Sequence, residues 1–234
     1  MMSFPFEIIE HTIPTQHIRE WPRATAVSQD DVLQVRIKQY RPVDNPNPQP
    51  GDVTVIRAHA NGFPKEVYEP LWADFHTESK KNGFRIRGIW IADVAYQGQS
   101  GLLNKDRLGN DPSWYDHARD LLYMTNVFRA EMPRPIIGIG HSFGGSILTC
   151  LSLIHARLFS TLILLDPVIH RSLLTRRRGR HDPSICLPPR YVAHAGRGGS
   201  SFPALTLLFG MGPAGPQCLD RSWTLQSTRG RRWR

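Results

Sequence analysis

Apolar and polar positions along the chain fall into short runs with two different periods. "VLQVRIKQYRP" (32–42) is partly alternating and β-branched, which predicts a strand. "NPNPQPGD" (45–52) is a proline-rich turn, and "VTVIRAHA" (53–60) is a short apolar run of the kind buried on both faces of a parallel sheet. "KEVYEPLWADFHTESKKNG" (65–83) spaces Val67, Leu71 and Phe75 four apart on one helical side, and Asn82-Gly83 supplies a stop. "FRIRGIWIADV" (84–94) predicts the next strand. A glycine-containing loop follows, then an amphipathic helix, "SWYDHARDLLYMTNVFRAE" (113–131), opened by a serine cap. "PIIGIG" (135–140) reads as a strand, "SILTCLSLIHARL" (146–158) as a helix and "STLILLDPV" (160–168) as a strand. Strands alternating with helices imply an α/β fold, with a mostly parallel sheet, right-handed crossovers and helices on both faces.

Composition changes this picture at one end only. The 234 residues and 40% hydrophobic content suit one domain with a sizeable core. The net charge of +9 sits in residues 176–234, which hold 11 arginines, no lysine and two acids; residues 1–175 balance 18 basic against 18 acidic side chains. The charge is therefore no footprint of a nucleic-acid-binding body, and the tail has few aromatics and no recognisable module, so no nucleic-acid partner is expected. Rich in Arg, Gly, Pro and Ser, the tail resembles low-complexity sequence, or a GC-rich coding sequence read in a shifted frame from about residue 176. The expected organisation is a core over 1–175 and a disordered or aberrant tail over 176–234. Cys150, Cys186 and Cys218 are odd in number and far apart, as reduced thiols are. No run of 18 apolar residues predicts a transmembrane helix, and "MMSFPFEIIEHT" lacks a basic-then-apolar leader, so an intracellular protein is expected.

The chemistry concentrates in "GIGHSFGGS" (138–146). Composition alone makes Gly-x-Ser-x-Gly a common pattern, but here it lies between a predicted strand and a predicted helix. At such a junction a sharp turn lifts the Ser142 hydroxyl above the carboxyl edge of the sheet. Gly140 and Gly144 are required because a Cβ there would crowd the neighbouring strand and helix. The Phe143 amide then stands at a helix N-terminus, aimed where an oxyanion would develop.

With these residues in place, the chain resembles an α/β-hydrolase. "HANGF" (59–63) resembles the family's His-Gly oxyanion loop with Ala60 in place of glycine, and "ADVAYQGQSG" (92–101) its Asp-x-x-Gly-x-Gly-x-Ser loop. "LLDPVI" (164–169) resembles the strand end that follows the nucleophile helix. "HANGFPKE" and "GNDPSWYDHARD" are similar to a fungal group of peroxisomal lipase-like and toxin-biosynthesis hydrolases. The resemblance implies an α/β-hydrolase fold, truncated here after the sixth strand, with Ser142 as nucleophile and the amides of Asn61 and Phe143 as oxyanion donors. Asp166 is the one acid placed like a triad acid, and His59 and Asp93 are loop-holding residues.

A serine nucleophile needs a histidine to take its proton. After Ser142 come His155, in the nucleophile helix; His170, directly after "DPVI"; and His181 and His194, in a stretch with no periodic element to position them. The expected function is an esterase- or lipase-like serine hydrolase of a small ester- or lipid-like substrate, without metal or cofactor. The alternative is a hydrolase fold that is catalytically impaired for want of the histidine. The resemblance suggests peroxisomes, although "RGRRWR" is no Ser-Lys-Leu-like address, which leaves the cytoplasm as the default.

Overall fold

The computed structural model describes residues 4–169 and the backbone of 192–194. Seven strands form one sheet: β1 (Phe6–Pro14), β2 (Gln34–Pro42), β3 (Val53–Ala58), β4 (Ile86–Ala92), β5 (Ile136–His141), β6 (Thr161–Leu165) and β7 (Val192–His194). Among the described residues four α-helices accompany them: α1 (Glu69–Lys81), α2 (Gly98–Asn104), α3 (Trp114–Val127) and α4 (Phe143–Ile154). The strand order is β1-β2-β4-β3-β5-β6-β7, antiparallel across β1, β2 and β4 and parallel from β4 through β7.

The apolar runs explain the centre of the sheet. Every residue of β3 is buried, and β5 is buried up to Gly140, because helices cover both faces there. On one face Ile56, Ala58, Trp90 and Ala92 form a cluster with Leu121 and Met124 of α3 and Phe143, Ile147, Leu148 and Leu151 of α4. Alternation sends Arg57 to the other face, where its guanidinium carbon lies 4.1 Å above the Tyr68 ring and 5.8 Å from that of Trp72 on α1. After β3 the chain winds one way to β4, then crosses back over β3 to β5. The carboxyl ends of β3 and β5 thus flank the point where winding reverses, the place where open parallel sheets hold ligands.

Each expected helix and strand of the body exists, with shifted ends. Ser113 caps α3, accepting the Tyr115 N–H at 3.2 Å. Before residue 170, one strand and one α-helix have no counterpart in the expectations. β1 is an edge strand in which adjacent Ile8 and Ile9 blur the alternation, and α2 occupies the stretch read as a glycine-containing loop. The expectation of a sheet ending at its sixth strand is extended by β7, whose three residues are too few to show a period and which pairs with Leu162–Leu164. The boundary expected after residue 175, the shifted frame from about residue 176, and His170 and His181 lie outside the described residues.

Candidate functional site

Ser142 is the single residue between β5 and α4. Its backbone, at φ 52° and ψ −115°, adopts a conformation that L-residues avoid. The turn is held from β6: the Ser142 N–H donates to the Leu165 carbonyl at 2.9 Å, and the Ser142 carbonyl accepts the Val168 N–H at 3.1 Å. The glycines leave room for it. A Cβ on Gly140 would stand 2.6 Å from the Gly145 Cα, and one on Gly144 would stand 2.2 Å from the Ala58 carbonyl oxygen. Phe143 opens α4, so its N–H has no intrahelical acceptor and shares the positive end of the helix dipole.

Facing this turn is the loop after β3. His59 is buried and bonded through both ring nitrogens, Nδ1 to the Ala60 carbonyl at 2.8 Å and Nε2 to the Val94 N–H at 3.2 Å. A nitrogen that accepts an N–H is unprotonated, so the proton is on Nδ1, which donates. Burial pushes the pKa of His59 down, with the Ala60 bond and Asp93 opposing. Both ring nitrogens are thus engaged in bonds to backbone, one within its own loop and one to the loop after β4. Ala60 also accepts the Phe63 N–H at 3.1 Å, closing a turn with exposed Asn61 inside it. Gln97 clamps that turn, donating to the Asn61 side-chain oxygen and accepting the Gly62 N–H at 2.9 Å.

Asp93 is likewise structural in its contacts. Its carboxylate accepts Lys65 Nζ at 2.7 Å and the Gln99 N–H at 2.9 Å, with both partners of the ion pair 1% exposed. Asp166 differs. It is exposed, follows the Leu165 carbonyl that Ser142 bonds, and has φ 43°. Among the described residues only three non-glycine residues have positive φ, and two of them, Ser142 and Asp166, sit side by side here. Backbone strain of roughly 1–3 kcal/mol per residue gathers where function requires it.

The other histidines of the body are bonded elsewhere, buried, at the far end of α4 or, for His17, exposed in the segment after β1. His141 Nδ1 lies 3.0 Å from the Tyr68 hydroxyl, and burial together with the Arg57 charge lowers its pKa. His117 is buried with no partner on either ring nitrogen among the described residues, and its pKa is driven well below the usual 6.5, chiefly by burial. His155 caps the far end of α4, 12 residues of helix away from Ser142. His11 bonds Gln39 and His76 bonds Asp44. His194 is on a strand after all: its backbone pairs with Leu164, two residues before Asp166, which brings it to the same sheet edge. Among the described residues no cluster of three or more His, Cys, Asp or Glu could hold a metal ion.

Sequence reasoning missed Tyr68, Gln97 and Trp114. Tyr68 lies at the start of an expected helix, and Gln97 lies inside the 92–101 loop motif at a position to which the motif gives no role. Trp114 is read as part of an amphipathic helix, yet it is 42% exposed and packs edge-on to Phe143 with ring centres 4.6 Å apart. No local pattern marks these residues, since each acquires its role from a partner distant in the chain.

The sequence model of the alpha/beta hydrolase family matches residues 58–234. The chain is 52% identical over 185 residues to a type I acyl-CoA thioesterase, mpaH', of Penicillium brevicompactum, covering 79% of this chain and 42% of that protein. A similarly named thioesterase of Penicillium roqueforti is 52% identical over 173 residues, 74% of this chain and 39% of that protein. Among solved structures, the peroxisomal alpha-beta-hydrolase Lpx1 of Saccharomyces cerevisiae superposes with a TM-score of 0.64 at 25% identity, over 71% of this chain and 46% of that one. The chain thus spans less than half the length of these relatives.

Proposed function

This chain belongs to the alpha/beta hydrolase family, and from that premise we propose that it hydrolyses acyl esters or thioesters through Ser142. The observation that carries the reading is the elbow: a serine at φ 52°, between a buried strand and the N-terminus of a 12-residue helix, pinned by β6. The Ser142 hydroxyl attacks the acyl carbonyl while the amides of Phe143 and Asn61 take the developing negative charge. The alkoxide or thiolate leaves, and water then releases the acid from the acyl-enzyme. Asp166 is the acid that orients the base. The base is a histidine outside the body described above, because the body's histidines around the elbow, His59, His117 and His141, are buried or bonded elsewhere, and His155 is at the far end of α4. His170, His181 and His194 are the candidates, and the backbone position of His194 favours it.

Thioesters enter as a substrate class because the relatives at 52% identity are named acyl-CoA thioesterases, and peroxisomes as a compartment because Lpx1 is named peroxisomal. A fluorophosphonate probe and an acyl-CoA hydrolysis assay test the reading on the full chain. Ser142→Ala should abolish both signals, and Asp166→Asn should slow both at least tenfold, a drop of the order that loss of an orienting acid causes. A chain that takes no label and turns over no acyl-CoA is a hydrolase fold without the activity, which refutes the proposal.

A further inference from the structure

We propose that Tyr68 is a positioning residue that ties the oxyanion-donor loop to the nucleophile elbow through its hydroxyl. The proposal rests on the reading of Ser142, Asn61 and Phe143 above. Tyr68 ends the 3-10 turn Lys65–Tyr68 that leads into α1 and is buried at 7% exposure. Its oxygen accepts the Ala60 N–H at 3.0 Å and lies 3.0 Å from Nδ1 of His141. With the Ala60 N–H on its oxygen, the Tyr68 hydroxyl keeps a proton that it donates to His141 Nδ1 in the tautomer whose ring proton is on Nε2. One atom therefore bonds both the loop that bears Asn61 and the residue directly before Ser142.

Peptide geometry shows why this matters for the oxyanion donor. The Ala60–Asn61 peptide is planar and trans, so the Asn61 N–H points opposite to the Ala60 carbonyl. That carbonyl is held from within the loop, by His59 Nδ1 and the Phe63 N–H. The Ala60 N–H, on the other side of the same residue, is held from outside the loop by Tyr68. Fixing both flanks of Ala60 fixes the direction of the Asn61 N–H. Without the hydroxyl, Ala60 turns as far as His59 and Phe63 allow, and the distance from Asn61 to the Phe143 amide is no longer set.

The tyrosine ring is itself held firmly. The Arg57 guanidinium carbon lies 4.1 Å from the centre of its ring, within cation–π distance, and Tyr68 partly offsets the burial that lowers the pKa of Arg57. None of the three guanidinium nitrogens has a hydrogen-bond partner among the described residues, which leaves the ring as its near neighbour of opposite polarity. Trp72 packs at 6.2 Å from the ring centre, and the His141 ring meets it edge-on at 6.1 Å. Phe63, from the same loop as Asn61, also stands edge-on to His141 at 5.5 Å, so loop and elbow touch on both sides of the hydroxyl.

The test uses the 234-residue chain with Tyr68→Phe, which keeps the ring over Arg57 and removes only the hydroxyl. The control is Tyr40→Phe, a buried tyrosine whose hydroxyl bonds Glu69 and neither Ala60 nor His141. Two readouts are taken, the rate at which a fluorophosphonate labels Ser142 and the NMR signals of the Ala60 amide and the His141 ring. Tyr68→Phe should slow labelling by about tenfold to a hundredfold, the scale of a displaced catalytic group, with melting close to that of Tyr40→Phe. The Ala60 amide should shift, and the His141 titration midpoint should rise because its neutral form loses a donor. Tyr40→Phe should leave labelling and both signals as in wild type. Wild-type labelling in Tyr68→Phe, or unmoved Ala60 and His141 signals, overturns the proposal. A wild-type chain that takes no label, or Ser142→Ala that still takes it, overturns the nucleophile reading instead. The Tyr68 tie is then decided by NMR alone, where unmoved signals overturn it.

Discussion

Gly144→Ala isolates how tightly the elbow is built. The added Cβ would lie 2.2 Å from the Ala58 oxygen, 2.5 Å from the Ala58 carbon and 2.7 Å from the His59 oxygen, all backbone atoms. Reaching an ordinary contact of about 3.4 Å requires α4 or the end of β3 to move by more than about 1 Å. Neither moves freely. β3 is paired with β4 on one side and β5 on the other, and α4 is locked by Ile147, Leu148 and Leu151, each at most 1% exposed. Overpacking of this kind costs about 1–3 kcal/mol, and backbone obstacles place it at the upper end. Alanine returns about 0.5–1 kcal/mol of helix preference, which leaves a net loss of about 2 kcal/mol. For a domain of this size that lowers Tm by roughly 4–8 °C. The assay is thermal unfolding by circular dichroism, with a urea midpoint as a second measure. Gly83→Ala is the comparison, since at φ 73° it meets nothing within 4 Å and carries only conformational strain, about 1 kcal/mol. A Gly144→Ala chain as stable as wild type, or more stable than Gly83→Ala, would show that the strand and helix ends are not in the close contact argued here.

Acid should weaken the fold through its buried histidines. His117 and His59 have folded-state pKa values below the ordinary 6.5, so the unfolded chain takes their protons first. Their contribution is intact above about pH 6.5 and is lost as pH falls below it, by up to about 1.4 kcal/mol per pH unit for each ring. His117→Phe should therefore flatten the fall in urea midpoint between pH 7 and pH 5, and an unchanged slope would contradict the assignment. The Lys65–Asp93 pair, at 2.7 Å and 1% exposure on each side, makes a separate prediction. Lys65→Met strands a buried carboxylate and should cost about 3–5 kcal/mol, while adding Asp93→Asn should recover part of that loss. A neutral Lys65→Met, read by chemical denaturation, would mean the pair is not desolvated as the structure has it.

Periodicity determined the main body of this protein. Runs of apolar residues at period two and four located β2 to β6, α1, α3 and α4, because burying one face or both leaves a pattern that local sequence can display. Ser142, Gly140 and Gly144 were legible for a related reason. A strand–turn–helix with a serine at its apex needs glycines at set offsets, and those offsets are local in the chain. What the tertiary structure alone decided involves residues brought together across the sheet. The edge strand β1 and the three-residue β7 carry too little alternation to read, and their pairing partners define them. His59 sits in a recognisable motif, yet its two bonds, to the Ala60 carbonyl and the Val94 N–H, appear only in the fold. Tyr68 and Arg57 gave no signal, because a hydroxyl or a guanidinium acquires its role from what the fold sets against it. Sheet register puts Arg57 on the α1 face beneath Tyr68, and the reversal of winding beside β3 sets that strand's loop against the elbow that ends β5. Local pattern encodes which face of an element is buried, while contacts between loops 35 to 73 residues apart follow from the order of strands in space.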